Sequence, residues 1–261
     1  MNISLKGKKA LIGGSSSGIG KAIALQLAKS GASVILMARN KEKLKAIISK
    51  LPTQKGQQHA YLLVDFNDYE TYVETIEKFF KHNKIDILIN NTQGPKSGGT
   101  LDLKINDYQK AFDLLFKSVV LTTQLALEYM IDNQWGRIIN VASISVKEPL
   151  SYLALSNSIR ASVVTWSKTL ANDVAQHQIT VNSILTGYFD TERINVLNDT
   201  KAKQLGISID TVKSNMEQQV PVKRIGNPKE YAYVVAFLAS ENASYITGTQ
   251  IPIDGGLLKS L

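Results

Sequence analysis

Apolar residues along this chain follow two rhythms. Short runs rich in Val, Ile and Leu recur at 9–13, 33–38, 58–64, 85–89, 136–141, 180–184 and 249–253. Runs this short and this apolar predict strands buried on both faces, as in a parallel sheet. Between them lie longer segments, 20–29, 42–49, 69–81, 106–132, 151–175 and 229–239, which read as helices. In the first of these Ile19, Ile23, Leu27 and Ala28 share one face at helical spacing. Asn227-Pro228 marks a helix start, a capping residue followed by proline at the first helical position. Strand and helix alternate, which predicts an α/β fold: a doubly wound parallel sheet of about seven strands with helices on both faces. Right-handed crossovers then put ligands at the carboxyl ends of the strands. The stretch 188–219, after the sixth strand, is mixed polar and irregular. No linker or shift in composition divides residues 1–261, so a single domain is expected.

Charge and composition narrow the function. The chain carries a net charge of +8. Its lysines (Lys41, Lys43, Lys45, Lys50, Lys78, Lys81, Lys84) are spread over helix faces without a tight basic cluster. Solvated helix faces account for them; an acidic carrier protein or a phosphorylated cofactor is the functional reading, and nucleic acid is not expected as a partner. There is no cysteine, which removes disulfides, thiolate metal sites and a cysteine nucleophile, and no metal is expected. The N-terminus, Met1-Asn-Ile-Ser-Leu-Lys-Gly7, has no long apolar run and reads straight into the first strand, so no signal peptide or membrane span is expected. A cytoplasmic location and no membrane partner are expected.

The segment Gly14-Ser-Ser-Ser-Gly18-Ile-Gly20 joins the first strand to the first helix. Glycines there let the backbone approach a pyrophosphate, and the helix N-terminus offers free N–H groups and a positive dipole. Gly14, Ser16, Ser17, Gly18, Ile19 and Gly20 are therefore candidate nucleotide contacts. The second strand ends Met37-Ala-Arg39-Asn40, with no carboxylate before Glu42. An acid at that point would bind a ribose 2′-hydroxyl, whereas an arginine accommodates a 2′-phosphate, so Arg39 favours NADP(H) over NAD(H). Asp65 ends the third strand, where a helix N-cap is one role open to it; Asn67 and Asp68 compete for that cap.

Together with Asn90-Asn91, Tyr245-Ile-Thr-Gly248 and Asp254-Gly-Gly256, the glycine motif resembles the short-chain dehydrogenase/reductase family, in particular its 3-oxoacyl-acyl-carrier-protein reductase type. The resemblance runs over nearly the whole chain. It implies a Rossmann-type sheet in the order 3-2-1-4-5-6-7 and a substrate lid over about 188–219. It also implies cofactor contacts from Asp65 and Phe66 at the adenine, from Asn90, from Gly187, and from Thr191 at the nicotinamide carboxamide. Gly13 stands where the family has threonine, and Thr186 where it has proline. Family members pair through the two long helices, so a homodimer or homotetramer is expected; the apolar run 116–121 and Trp166 are rich for a solvent face. The implied partners are a small-molecule or acyl-thioester carbonyl substrate and, by the same resemblance, an acyl carrier protein.

The catalytic positions are changed. The family uses a tyrosine as acid, a lysine four residues later, a serine that orients the carbonyl, and an asparagine that holds a relay water. Ser143 keeps the serine, but Ser156 occupies the tyrosine position, Arg160 the lysine position and Leu115 the asparagine position. A serine hydroxyl stays protonated far above neutral pH, and losing a positioned acid costs on the order of 10²–10⁴-fold in rate. Arg160 keeps a charge for the cofactor ribose but cannot shuttle protons. Tyr152, four residues before Ser156, and Tyr188, beside Gly187, are the candidate replacement acids, each with packing as its competing role. Ser143, Tyr152, Ser156 and Arg160 thus form the expected catalytic set. Two functions are carried forward: an NADP(H)-dependent oxidoreductase acting on a carbonyl or alcohol, such as a 3-oxoacyl thioester, and a nicotinamide-cofactor-binding sensor or scaffold with little or no turnover.

Overall fold

The computed structural model describes residues 2–260. Seven parallel strands form one sheet in the order β3-β2-β1-β4-β5-β6-β7. They are β1 (Lys9–Ile12), β2 (Ser33–Ala38), β3 (Ala60–Leu63), β4 (Ile87–Asn90), β5 (Gly136–Val141), β6 (Ile179–Thr186) and β7 (Gln250–Ile253). The order reverses between β1 and β4, which opens a crevice at their carboxyl ends. Helices α1 (Gly18–Lys29), α2 (Lys41–Ile48) and α3 (Tyr69–Phe80) connect the first four strands. Next come α4 (Ile105–Phe112) and α5 (Ser118–Asp132), then α6 (Ala154–Val174), α7 (Glu192–Leu205), α8 (Ile209–Gln219) and α9 (Pro228–Leu238). Ile23, Ala24, Leu27 and Ala28 of α1 are buried with Tyr231, Val235 and Ala236 of α9 on one face of the sheet. On the other face Tyr72, Ile76, Ala126, Met130, Leu155 and Val174 pack from α3, α5 and α6.

Several boundaries differ from the expectation. The pattern at 58–64 shortens to β3 because side chains replace ladder bonds: Gln58 N donates to Ser33 Oγ at 3.0 Å and Val34 N to His59 Nδ1 at 3.2 Å. The fourth strand starts later for the same reason, since the Asp86 carboxylate accepts from Lys9 N at 2.8 Å. The 106–132 helix is interrupted by a π-turn over Asp113–Lys117, which contains Leu115. The whole rod Ile105–Asp132 is long and apolar enough to cross a membrane by length and composition, although no span was expected. Half of its apolar window is buried inside the domain, as in a core helix. Helix α6 begins at Ala154, three residues late, which leaves Tyr152 in the preceding turn.

The irregular reading of 188–219 is corrected, because the segment holds the two helices α7 and α8. Both are polar, so their apolar period is faint, and their ends are fixed by caps. Thr191 and Ser208 accept from Ile194 N and Thr211 N, and Gly206 closes α7 in the left-handed conformation.

Candidate active site

A cleft of about 780 Å³ opens along the carboxyl ends of the strands. Its floor is the glycine loop. A Cβ on Gly20 would lie 2.3 Å from Gly14 O, and one on Gly13 would lie 2.2 Å from Asn91 O. Both positions therefore demand glycine, which gives a reason for Gly13 where the family has threonine. Asn91 Nδ2 donates to Gly13 O at 3.0 Å and pins the loop to β4. Ser15 holds it to β2 by donating its hydroxyl to Met37 O at 3.3 Å. Ser17 caps α1 through its backbone only, and the first turn of α1 has no acidic residue. The free N–H groups of that turn thus face the cleft beside a positive dipole. Gly14, Ser16, Ser17, Gly18, Ile19 and Gly20 all line it. The arrangement fits a pyrophosphate: a close-approach cradle with an uncompensated helix N-terminus behind it.

At one end of the cleft stand Arg39, Asn40, Lys43, Val64 and Phe66. Arg39 Nη1 lies 3.6 Å from Asp65 Oδ2, and Lys43 Nζ lies 3.5 Å from Glu192 Oε2 at the start of α7. Asp65 itself does not line the cleft. Its carboxylate accepts from Asn67 N at 2.9 Å and from Asn67 Nδ2 at 3.2 Å. It does not cap α3, because Asp68 does so by accepting from Thr71 N. Asn90 also turns away, donating through Nδ2 to Thr123 Oγ1 of α5 at 3.0 Å and to Asn140 Oδ1 of β5 at 2.7 Å. Asn91, its neighbour, is the one that reaches the cleft.

The other end holds Ser143, Ser156, Arg160, Thr186, Gly187, Thr191 and Arg193. Ser143 follows β5 and caps a short 3₁₀ turn, its Oγ accepting from Ser145 N at 3.1 Å. That leaves its own O–H free to donate. Ser156, in the first turn of α6, is 8% exposed, and its hydroxyl has no partner among the described residues. Four residues on, the Arg160 guanidinium donates through Nη1 to Val141 O. Burial lowers the Arg160 pKa, the neighbouring Tyr231 raises it, and Arg193 lowers it again. An arginine keeps its charge through such shifts.

Beside Arg160 a void of about 10 Å³ is lined by Asn90, Thr92, Asn140, Leu115 and Val163, among others. Such a space has room for about one water and no chain of them. The π-turn presents Leu115 to this void, and the polar groups there come from Asn90, Thr92, Asn140 and Arg160.

Tyr152 and Tyr188 do not line the cleft. Burial raises the pKa of both, and for Tyr188 the neighbouring Tyr152 adds to the rise. Tyr152 is 43% exposed in the turn before α6, where its carbonyl accepts from Gly98 N at 2.8 Å. Of the sequence-derived candidates, Asp65, Asn90, Tyr152 and Tyr188 stay off the cleft wall, whereas the glycine loop, Arg39, Phe66, Ser143, Ser156, Arg160, Gly187 and Thr191 line it. Sequence reasoning passed over Lys43, Gln93, Phe189, Glu192 and Arg193 as lining residues. A signal existed for Arg193: a cation in the first turn of a helix opposes the dipole and so asks for a reason.

A profile of the family described as enoyl-(acyl carrier protein) reductase matches residues 14–258. The 3-oxoacyl-[acyl-carrier-protein] reductase FabG of Aquifex aeolicus (strain VF5) is 31% identical over 258 residues, 98% of this chain and 100% of that protein. The NADPH-dependent reductase BacG of Bacillus subtilis (strain 168) is 32% identical over 256 residues, 97% of this chain and 99% of that one. The L-sorbose reductase of Gluconobacter frateurii, solved with NADPH and L-sorbose, superposes at a TM-score of 0.92 with 32% identity over 100% of both chains. Matched along nearly its full length on the same seven-stranded frame, the chain belongs to the short-chain dehydrogenase/reductase family.

Proposed function

We propose that this chain is an NADP(H)-dependent oxidoreductase that interconverts a carbonyl and an alcohol. The observation that carries the reading is one continuous cleft joining the glycine cradle to Ser143 and Arg160. NADP(H), when bound, supplies or accepts the hydride. The cradle and the N-terminus of α1 hold its pyrophosphate, and Arg39 with Lys43 meets the 2′-phosphate. Thr191 Oγ1 already accepts from Ile194 N, so its hydroxyl hydrogen serves the carboxamide. Ser143 donates to the substrate carbonyl oxygen and holds it in place. Arg160 binds the ribose and adds positive charge where negative charge develops on that oxygen.

The proton is placed on water at the cleft mouth, because no tyrosine lines the wall and the void beside Arg160 has room for about one water. The same features support the second reading, a cofactor-binding protein with little turnover. Association of copies through α4–α5 and α6 is proposed as well. Phe116 and Trp166, 6.3 Å apart edge to face, sit only partly buried on those helices. We place the protein in the cytoplasm, and a 3-oxoacyl thioester, free or on an acyl carrier protein, stands among its candidate substrates.

The test is NADPH oxidation against ketones, oxo acids and acetoacetyl thioesters, with NADPH binding measured in parallel. Slow turnover is expected. Ser156→Tyr with Arg160→Lys restores the acid pair and is expected to raise it, up to the roughly 10²–10⁴-fold a positioned acid contributes. Selective loss of turnover in Tyr152→Phe, at unchanged cofactor affinity, would return the acid role to Tyr152. Bound NADPH with no turnover in either form would establish the non-catalytic reading.

A further inference from the structure

Cations on this cleft fall into two groups. Arg39 and Lys43 each face a carboxylate of the chain, Asp65 and Glu192. Arg160 and Arg193 face none among the described residues. Arg160 uses Nη1 on Val141 O, and Arg193 uses Nη2 on Pro95 O at 3.3 Å. Each guanidinium carries five N–H donors, so most of both forks remain free. Both line the cleft that Ser143 lines, and the positive charge of Arg193 lowers the Arg160 pKa.

The fold supplies neither cation with an acid among the described residues. Arg193 stands in the first turn of α7, where the helix dipole repels a cation. Arg160, which meets the cofactor ribose on the proposed function, is partly buried on the cleft wall, and burial is costly for a charge without a counter-ion. Two guanidiniums on the wall of one cleft, neither with an internal acid, are suited to an external planar anion, which a guanidinium can grip by two parallel hydrogen bonds.

We infer that Arg160 and Arg193 form a carboxylate-binding subsite beside Ser143, so that the substrate is an oxo acid or hydroxy acid. This inference rests on the oxidoreductase reading and names its substrate class. Arg193 grips the acid group from the lid side, and Arg160 shares it from α6. The carboxylate is thereby held at a fixed offset from the carbonyl that Ser143 orients. Arg193 is a specificity-determining residue on this view. The rival occupant of its fork is the cofactor pyrophosphate, since Thr191 lies against the glycine loop, 3.2 Å from the Cβ position of Gly18.

Calorimetry on the protein saturated with NADP⁺ separates these cases. The titrants are pyruvate, acetoacetate and levulinate, each beside its methyl ester. At least one acid is expected to bind about tenfold or more tightly than its ester, the size of one charge-assisted pair. In Arg193→Gln that ratio falls toward one, Arg193→Lys keeps part of it, and the NADP⁺ dissociation constant stays within about threefold. Equal binding of every acid and its ester overturns the inference, as does an absence of binding by any acid. So does a loss of NADP⁺ affinity in Arg193→Gln as large as the loss of acid affinity. An acid that binds preferentially yet is never reduced by NADPH upholds the subsite and defeats the oxidoreductase reading. An ester reduced as fast as its acid does the reverse.

Discussion

Cofactor choice turns on Arg39. Its guanidinium lies 3.6 Å from the Asp65 carboxylate, with the two side chains 57% and 41% exposed. An ion pair so exposed contributes about 0.2–1 kcal/mol, so Asp65 positions Arg39 without holding it against a stronger anion. A 2′-phosphate brings a charge of about −1.5 to −2. Its charge-assisted hydrogen bonds to Arg39 and Lys43 are worth roughly 1.5–3 kcal/mol each before solvent discounts them. Subtracting the lost Asp65 and Glu192 pairings leaves roughly 1–5 kcal/mol before that discount, so a preference for NADPH over NADH of about 1.4 kcal/mol, or about tenfold, is expected. Arg39→Asp removes a cation and sets a second carboxylate beside Asp65, so the preference should shrink or invert. Fluorescence titration with both cofactors, at low and at high salt, reads this out. The preference should fall with ionic strength, because the groups are exposed. Equal affinities in the unmodified protein, or an unchanged preference in Arg39→Asp, would refute the reasoning.

Two further outcomes follow from packing and charge. In Gly20→Ala the new methyl meets Gly14 O at 2.3 Å and Asn91 Nδ2 at 2.8 Å, so the cradle must open; NADPH affinity should drop at least about tenfold, and the melting temperature should fall as for a strain of about 1–3 kcal/mol. Binding within a factor of two of the parent would show that the loop yields. Acid should weaken the start of α9. The bidentate Arg224 bridge, with the Asn227 backbone, holds the Glu230 carboxyl down at about 2. A depressed carboxyl contributes stability that is complete above its ordinary value near 4.5 and is lost as pH falls toward 2. The gap in melting temperature between the parent and Glu230→Gln should therefore be widest near neutrality and close between pH 4.5 and 2. A gap that is constant with pH would place the effect elsewhere.

The sequence by itself determined the sheet, the layers around it and the cofactor end of the cleft. These features are local. Strands buried on both faces must be continuously apolar, and a cradle for a pyrophosphate must be glycine-rich and stand before a helix. Ser156 and Arg160 were legible as a pair one turn apart on α6, and both line the cleft. The lid helices were not legible, since α7 and α8 are polar and are defined by Thr191, Gly206 and Ser208 at their ends. Which asparagine faces the cleft was also open in the sequence. Asn90 and Asn91 are adjacent, and only the partners Thr123 and Asn140 draw the first into the sheet. Tyr152 is sequence-close to Ser156, yet the late start of α6 moves it off the wall. Arg193 has meaning only through the fold. Its contact at Pro95 lies 98 residues away in the chain, and its nearness to Arg160 exists only once α6, α7 and the loop after β4 meet over one crevice. Periodicity reports what one element buries; which charges converge is decided by how the elements are stacked.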